Sequence, residues 1–505
     1  MLARIKTAAL WGLDAQPVDC EVDVGPGLPG FTLVGLPDPS VREVRDRVWP
    51  ALRNAGLKPP DRRVTVNLAP AGRRKEGASM DLAVALGVLA ATEQIPFDRL
   101  ADAAAIGELS LDGQLRAVRG TLPLAEAAWR AGASRLLCAA GGAPEAALVE
   151  GLEVHPVATL TEVVGWARGL EDLTRANAAT PDPEPPARED LADVRGQAVA
   201  RRALEIAAAG GHHMLLVGPP GAGKSMLARR LPGILPPLTA EEALVVTRLH
   251  SAAGQRPPGR GLMRERPIRT PHHSLSRAGL VGGGAPPRPG ELSLAHHGVL
   301  FLDEFGEYPR HLLEALREPL EAGVVWISRA TGAACFPARA LLVAAMNPCL
   351  CGWLGHPKRG CRCTPMDLQR YSMRVSGPML DRLDLQIEVP ALTSSELVEA
   401  RESESSEAVR ARVMAARATQ LARGQLNAHL PHGAVVKACA LDDMGRSLMT
   451  QAIDRGGMSA RGVHRALRVA RTIADLGGEP RVTALRLAEA IQYRAYETRR
   501  IASAQ

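Results

Sequence analysis

The amino-acid sequence predicts an α/β protein in three parts. An α+β domain is expected over residues 1–171, a parallel-sheet core over 191–390 and a helical part over 391–505, with a proline-rich linker at 172–190. Three observations predict this. In mid-chain, HHMLLVGPP, GVLFLDEF and RALLVAAMN are short apolar runs ending in polar residues, the pattern of buried parallel strands with a ligand beyond their carboxyl ends. At 172–190, DLTRANAATPDPEPPARED loses hydrophobic periodicity and gathers proline, which removes amide donors and favours extended chain. From about residue 391 the pattern turns charged, with apolar residues at three- and four-residue spacing.

The whole chain sets broad limits. It has 505 residues, 46% hydrophobic and 23% charged, a globular mixture long enough for two to four domains. Aromatic residues make up 3%, so its cores are built from Ala, Val and Leu. The formal charge of +7 gives a mild pull on polyanions. No apolar run reaches the ~20 residues of a membrane helix, and the opening segment lacks the apolar stretch of a secretory leader. Eight Cys in so long a chain do not form a secreted disulfide framework. The expected compartment is the cytoplasm, with no membrane partner.

In the first domain, CEVDVGPG, GFTLVGLP and RRVTVNLAP read as strands stopped by Gly and Pro, and MDLAVALGVLAAT and LPLAEAAWRAGA as packed helices. In the last part, LVEARESESSEAVRARVMAARATQLA reads as a helix pair, and RGVHRALRVARTIADL and RVTALRLAEAIQYRAYETRR as two further helices.

The core carries the chemistry. Residues 218–225, Gly218-Pro219-Pro220-Gly221-Ala222-Gly223-Lys224-Ser225, form a Walker A phosphate loop between a strand and a helix, the context that gives the motif its meaning. Its glycines let backbone amides approach phosphate oxygens, and the helix start adds its positive end. Lys224 is expected on the β- and γ-phosphates of ATP and Ser225 on Mg²⁺. The strand VLFL then delivers Asp303, to hold Mg²⁺, and Glu304, to orient and deprotonate the attacking water. A third strand ends at Asn347, whose amide can position that water or sense the γ-phosphate. Arg382, where a loop enters a strand, and Arg461, at a helix start, are candidates to stabilise charge in phosphoryl transfer.

Cys349, Cys351, Cys361 and Cys363 are spaced C-x-C-x₉-C-x-C, which suits a structural Zn²⁺, with reduced thiols or redox pairing as rival readings and His356 as a spare ligand. The segment 264–290 sets Arg264, Arg266, Arg269, Arg277 and Arg288, with His272 and His273, among Gly and Pro. It reads as a basic loop for a phosphate backbone, the rivals being a subunit contact or core support by the His pair. No aromatic interleaves these basic residues, so neither base stacking nor sequence-specific reading is expected.

The Walker A loop, VLFLDE, MNPC and LDRLDL, in this order, resemble AAA+ ATPases of the magnesium-chelatase-like branch. More narrowly, RPIRTPHHSLSRAGLVGGG, PRPGELSLAHHGVLFLDEFGE and NPCLCGWLGHPKRGCRCTP are similar to the ComM/YifB competence family, along essentially the whole chain. The resemblance implies an AAA+ core with a helical C-terminal lid. It also implies a hexameric ATPase ring acting on single-stranded or branched DNA to drive branch migration in transformation and recombination. By position it makes Asn347 sensor 1, Arg461 sensor 2 and Arg382 the arginine finger, with Arg370 and Arg374 as alternatives. The first domain resembles the proteolytic domain of Lon (a ribosomal S5 domain 2-like fold). Ser79 falls near or at the nucleophile, but Leu122 stands where the catalytic Lys belongs, and Lys75 is off that position. Without an amine base a Ser hydroxyl is a poor nucleophile, so a fold without peptidase activity is expected. The alternatives are the ATPase motor of a metal chelatase and a Lon-like ATP-dependent protease.

Overall fold

The computed structural model describes residues 2–177, 189–329, 332–392, 403–454 and 458–494. Its first part is a seven-stranded mixed sheet with a short side hairpin. The strands are β1 (Leu2–Trp11), β2 (Asp14–Gly25), β3 (Gly30–Val34), β4 (Arg63–Ala69), β5 (Ala103–Ile106), β6 (Glu108–Leu109), β7 (Leu115–Arg116), β8 (Arg135–Ala139) and β9 (Glu153–Val157). The order across the sheet is β3-β4-β2-β1-β5-β8-β9, with β6 and β7 paired to each other. β1 runs antiparallel to β2 and parallel to β5, β2 runs antiparallel to β4, and the edge strand β3 pairs with β4 in parallel. Asp81–Ala91 is buried at every position, because DLAVALGVLAA offers water no face once it lies on the sheet. The three strands and two helices expected here are present. β1 and the parallel strands β5, β8 and β9 are additions, in segments without a strand-length alternation.

The first residues of the expected linker are tied to the first sheet. Thr174 accepts a hydrogen bond at 3.1 Å from the His155 ring, and the Ala176 amide donates at 2.8 Å to Val154, so this run lies along β9. At the other end, Arg230 binds Glu189 and Asp193. The centre of the expected linker, 178–188, lies outside the described residues.

The second sheet uses β10 (Met214–Val217), β11 (Ile268–Arg269), β14 (Val299–Leu302), β17 (Leu341–Met346) and β18 (Leu385–Glu388) in the order β11-β14-β17-β10-β18, all parallel. Two hairpins leave it, β12 (Gly282–Gly283) with β13 (Arg288–Pro289) and β15 (Val324–Arg329) with β16 (Gly332–Pro337). The four residues of β10 and of β14 are all buried, as expected of strands covered on both faces.

The two parts pack together. The Ser251 hydroxyl donates to Glu145 at 2.5 Å, Arg248 pairs with Glu126 at 2.5 Å, and the Trp11 indole N–H donates to the Ala333 carbonyl in the β15–β16 hairpin at 3.4 Å. Beyond β18, helices Ser406–Ala422, His432–Cys439, Asp443–Asp454, Ala460–Leu476 and Ala484–Gln492 gather around Ala198–Gly210, with Leu204, Val413, Leu467 and Ile473 in one core. The expected helix pair is one helix, Ser406–Ala422, within the described residues; 393–402 lie outside them. No described helix is long and apolar enough to cross a membrane.

Candidate nucleotide site

Three strands end side by side, and their ends converge. Val217 pairs with Met346 on one side and Glu388 on the other, so the loop after β10 lies between the ends of β17 and β18. Gly221 and Gly223 hold left-handed φ values of +79° and +90°. A Cβ on Gly218 would lie 2.2 Å from the Val389 carbonyl oxygen, so the loop leaves the sheet through a gap only glycine fits. Gln197 braces the loop, its side-chain amide donating to the carbonyls of Ala222 at 3.2 Å and Pro390 at 2.8 Å. Helix Lys224–Ile234 begins at the loop's end.

Lys224 is 8% exposed. Its ammonium donates to the carbonyls of Gly218 at 2.6 Å and Pro219 at 2.9 Å and to Oδ1 of Asn347 at 3.2 Å. Burial pulls its pKa below the usual lysine range, opposed by the charge of Asp303. The Ser225 hydroxyl donates to Oδ2 of Asp303 at 2.6 Å. A hydroxyl and a carboxylate oxygen on one spot are the hard ligands that Mg²⁺ takes, the remainder coming from water and phosphate. Asp303 also accepts from the Glu304 amide at 2.9 Å, and Glu304 turns the chain at a left-handed φ of +50°. That turn presents the Glu304 carboxylate at 61% exposure, 3.2 Å from Nδ1 of His273. Asn347 is fixed from behind by the Tyr371 phenol, which donates to its carbonyl at 3.1 Å. The site therefore brings together a cation for phosphate oxygens, two oxygen ligands for Mg²⁺ and an exposed carboxylate beside His273.

Arg382 and Arg461 lie elsewhere. Arg382 is 7% exposed, donates to the carbonyls of Arg317 at 3.1 Å and Pro378 at 2.8 Å, and pairs with Glu321 at 2.7 Å. With Arg461 it lines a cleft of about 770 Å³ that also holds Arg339, Arg417, Arg465 and Arg468. His213, Ala340 and Asp384 in the same lining precede β10, β17 and β18. The cleft thus opens at the amino ends of the strands, and the four residues of β10, about 13 Å at 3.3 Å per residue, separate it from the phosphate loop. Of the alternatives, Arg374 pairs with Glu307 at 2.5 Å, beside the turn after β14, and Arg370 is exposed.

The Cys loop abuts the phosphate loop. A Cβ on Gly352 would come 2.9 Å from Pro220 and 3.9 Å from the Asn347 side chain. All four thiols are free, with Cys349–Cys351 at 3.5 Å, Cys349–Cys361 at 3.7 Å, Cys351–Cys361 at 3.7 Å and the whole set within 4.8 Å. Tetrahedral thiolates at ~2.3 Å from zinc stand roughly 3.8 Å apart, so the set fits that ion. Backbone amides of Arg362 and Trp353 pull the Cys351 thiol down to about 6, whereas the Cys349, Cys361 and Cys363 thiols stand above the usual range. His356 is not a fifth candidate: its Nδ1 accepts the amides of Lys358 and Arg359, both at 3.1 Å, closing its own turn.

The basic segment divides. Arg266 is corrected to a structural residue, 9% exposed, donating to the carbonyls of Pro236, Pro237 and His297 and paired with Glu242 at 2.9 Å. Arg269 is likewise committed, in a two-pronged pair with Glu291 at 2.5 and 2.8 Å. Arg264, Arg277 and Arg288 are exposed. In the first domain the buried Ser79 hydroxyl donates to the Ala8 carbonyl at 3.4 Å, and Leu122 fills the apolar cluster around Ala8. Lys75 is buried with its ammonium on the Pro70 carbonyl.

Gln197, His273, Tyr308 and Tyr371 are site neighbours that sequence reasoning did not single out as such. Only His273 carried a signal, the His-His step in the quoted TPHHS run.

Three family models divide the chain. The model for magnesium chelatase, subunit ChlI, matches residues 190–397, that for subunit ChlI of Mg-chelatase matches 20–141, and that for the ChlI C-terminal part matches 403–494. Competence protein ComM of Haemophilus influenzae is 44% identical over 98% of this chain and 97% of its own length. YifB of Escherichia coli is 42% identical over 98% and 97%. Lon protease 2 of Bacillus subtilis is 32% identical over 24% of this chain and 21% of its own.

Proposed function

Since the chain belongs to the ComM/YifB family of magnesium-chelatase-like ATPases, we propose that it is an ATP-driven DNA motor, a hexameric ring that moves branch points during recombination and transformation in the cytoplasm. The observation that carries this reading is the convergence of Lys224, Ser225, Asp303 and Asn347 within hydrogen-bond reach, with Glu304 beside them. Mg²⁺ on Ser225 and Asp303 supplies charge neutralisation at the triphosphate. Lys224 holds the phosphates, Asn347 senses the terminal one and Glu304 takes the proton from the attacking water.

The sheet stands between the phosphate loop and Arg382 and Arg461, so these two arginines serve the nucleotide of the neighbouring subunit, with Arg382 as finger and Arg461 as sensor 2. The C-terminal helices act as the lid, which carries Arg461. Arg264, Arg277 and Arg288, exposed and in no ion pair among the described residues, grip the phosphate backbone without reading sequence. An ATP-dependent strand-displacement assay on branched DNA tests this reading. Displacement that disappears in 0.5 M salt (about a 4 Å Debye length) is the expected result. An active ATPase with no DNA binding at low salt sinks the DNA part and favours a chelatase-type motor. Casein cleavage that depends on Ser79 favours the protease reading.

The Cys loop is assigned to zinc, held by Cys349, Cys351, Cys361 and Cys363. Metal analysis of reduced protein, purified without chelator, is expected to find one zinc per chain, lost in a Cys351→Ser, Cys361→Ser variant. Protein free of zinc under those conditions contradicts the assignment.

A further inference from the structure

The tip of the Cys loop carries groups that neither zinc nor the nucleotide uses. Residues 349–366 hold Lys358, Arg359 and Arg362 and no carboxylate. All three cations are exposed, and none is in an ion pair among the described residues. Cys349, Cys351 and Cys361 gather the two ends of the loop, with sulfurs 3.5 to 3.7 Å apart. Of the stretch 354–360 between them, every residue but His356 is exposed. Trp353 opens this stretch. Its carbonyl accepts the His356 amide at 3.1 Å, and Nδ1 of His356 accepts the amides of Lys358 and Arg359. The turn so closed lays the Arg359 guanidinium over the Trp353 ring, 4.3 Å from its centre, and His356 meets that ring edge-on at 5.1 Å.

An arginine laid on an indole instead of a carboxylate keeps its charge and its planar fork available. The two stacked planes form a platform for another flat ring, and every nucleobase has such a face. Lys358 and Arg362 flank this pair in the chain and suit phosphate oxygens. A duplex hides its base faces inside the stack, whereas a single strand offers them. The basic segment 264–290 contains no aromatic residue, so it meets phosphate alone. We propose that the tip of the Cys loop is a contact for single-stranded DNA, in which a base stacks on the Trp353–Arg359 pair and Lys358 and Arg362 hold the flanking phosphates. The root of the loop rests on the phosphate loop, Gly352 against Pro220, so a strand held at Trp353 lies one residue along the chain from that contact. This contact deepens the motor reading above and rests on it.

The test is binding of labelled oligo-dT, and of a duplex of equal length, to the full chain with a non-hydrolysable ATP analogue and Mg²⁺. Trp353→Ala is expected to weaken oligo-dT binding about fivefold to hundredfold, the span of one stacked base, without weakening duplex binding. Trp353→Phe, which keeps a smaller ring, is expected to lose less. The double variant Lys358→Gln, Arg362→Gln is expected to lower the slope of log affinity against log salt by about 1.4, two phosphates at ~0.7 each on a single strand. Trp353→Ala is expected to leave that slope unchanged, which a general collapse of the loop would not do. Oligo-dT is also expected to quench the wild type more than Trp353→Phe, because the indole at 353 is the one it covers. If Trp353→Ala does not fold, this quench and the double variant decide. Oligo-dT affinity equal in the wild type and Trp353→Ala overturns the proposal, as does an equal loss on oligo-dT and duplex. A wild type that binds duplex but not oligo-dT also overturns it and leaves the motor reading standing. A wild type that binds neither removes the DNA part of that reading, and this contact with it.

Discussion

Glu304→Gln is expected to lower ATP turnover by roughly 10²–10⁴-fold, the span of general base catalysis, while nucleotide binding survives. The substitution keeps shape and removes only the ability to accept a proton. Lys224, Ser225 and Asn347 make no hydrogen bond to the Glu304 side chain, and the bond from Glu304 to the Asp303 carboxylate uses the Glu304 backbone amide. Phosphate release and binding of a fluorescent ATP analogue separate the two effects. Turnover within about tenfold of wild type would show that another group activates the water. Lost binding would show that the carboxylate shapes the site rather than acting in it.

Asp475→Ala is expected to cost about 3–5 kcal/mol, the scale for leaving one member of a buried ion pair alone. Arg471 and Asp475 are both 1% exposed and lie one helical turn apart at 2.9 Å. Asp475 also accepts from Asn427 at 2.8 Å and pairs with Arg423, so it ties helix Ala460–Leu476 to the segment that follows Ser406–Ala422. Arg471 donates to the carbonyls of Ala438, Glu479 and Pro480, which holds its charge in the core. A chain with several cores need not unfold in one step, so the reading is the first thermal transition. A shift of under about 2 °C would mean that Arg423 and water compensate, since 1 kcal/mol moves the transition of a large domain by about 2–4 °C.

The nucleotide site was legible because its parts are local. Gly218 to Ser225 is one uninterrupted motif, and Asp303 and Glu304 follow a strand whose four apolar residues announce burial. What the sequence hid depends on contacts across the chain. Arg266 and Arg269 read as free cations until Glu242 and Glu291 appear beside them, 24 and 22 residues away. β5 is too short and too rich in Ala to show a strand pattern and β8 lacks alternation, so pairing with β1, β9 and each other defines them. His273 looked like part of a basic run, and its place at Glu304 follows from β11 lying next to β14. Sequence order also gave no sign that Arg382 and Arg461 share the cleft at the amino ends of the strands, because both stand beyond β17 in the chain.

The central claim is that Lys224, Ser225, Asp303 and Glu304 form a working triphosphatase. Its most direct test is phosphate release by purified, folded protein with ATP and Mg²⁺, compared with Lys224→Ala. Release by the unaltered chain that falls to background in the variant is the predicted result. Equal release from both proteins, or none from the unaltered chain with or without DNA, would contradict it.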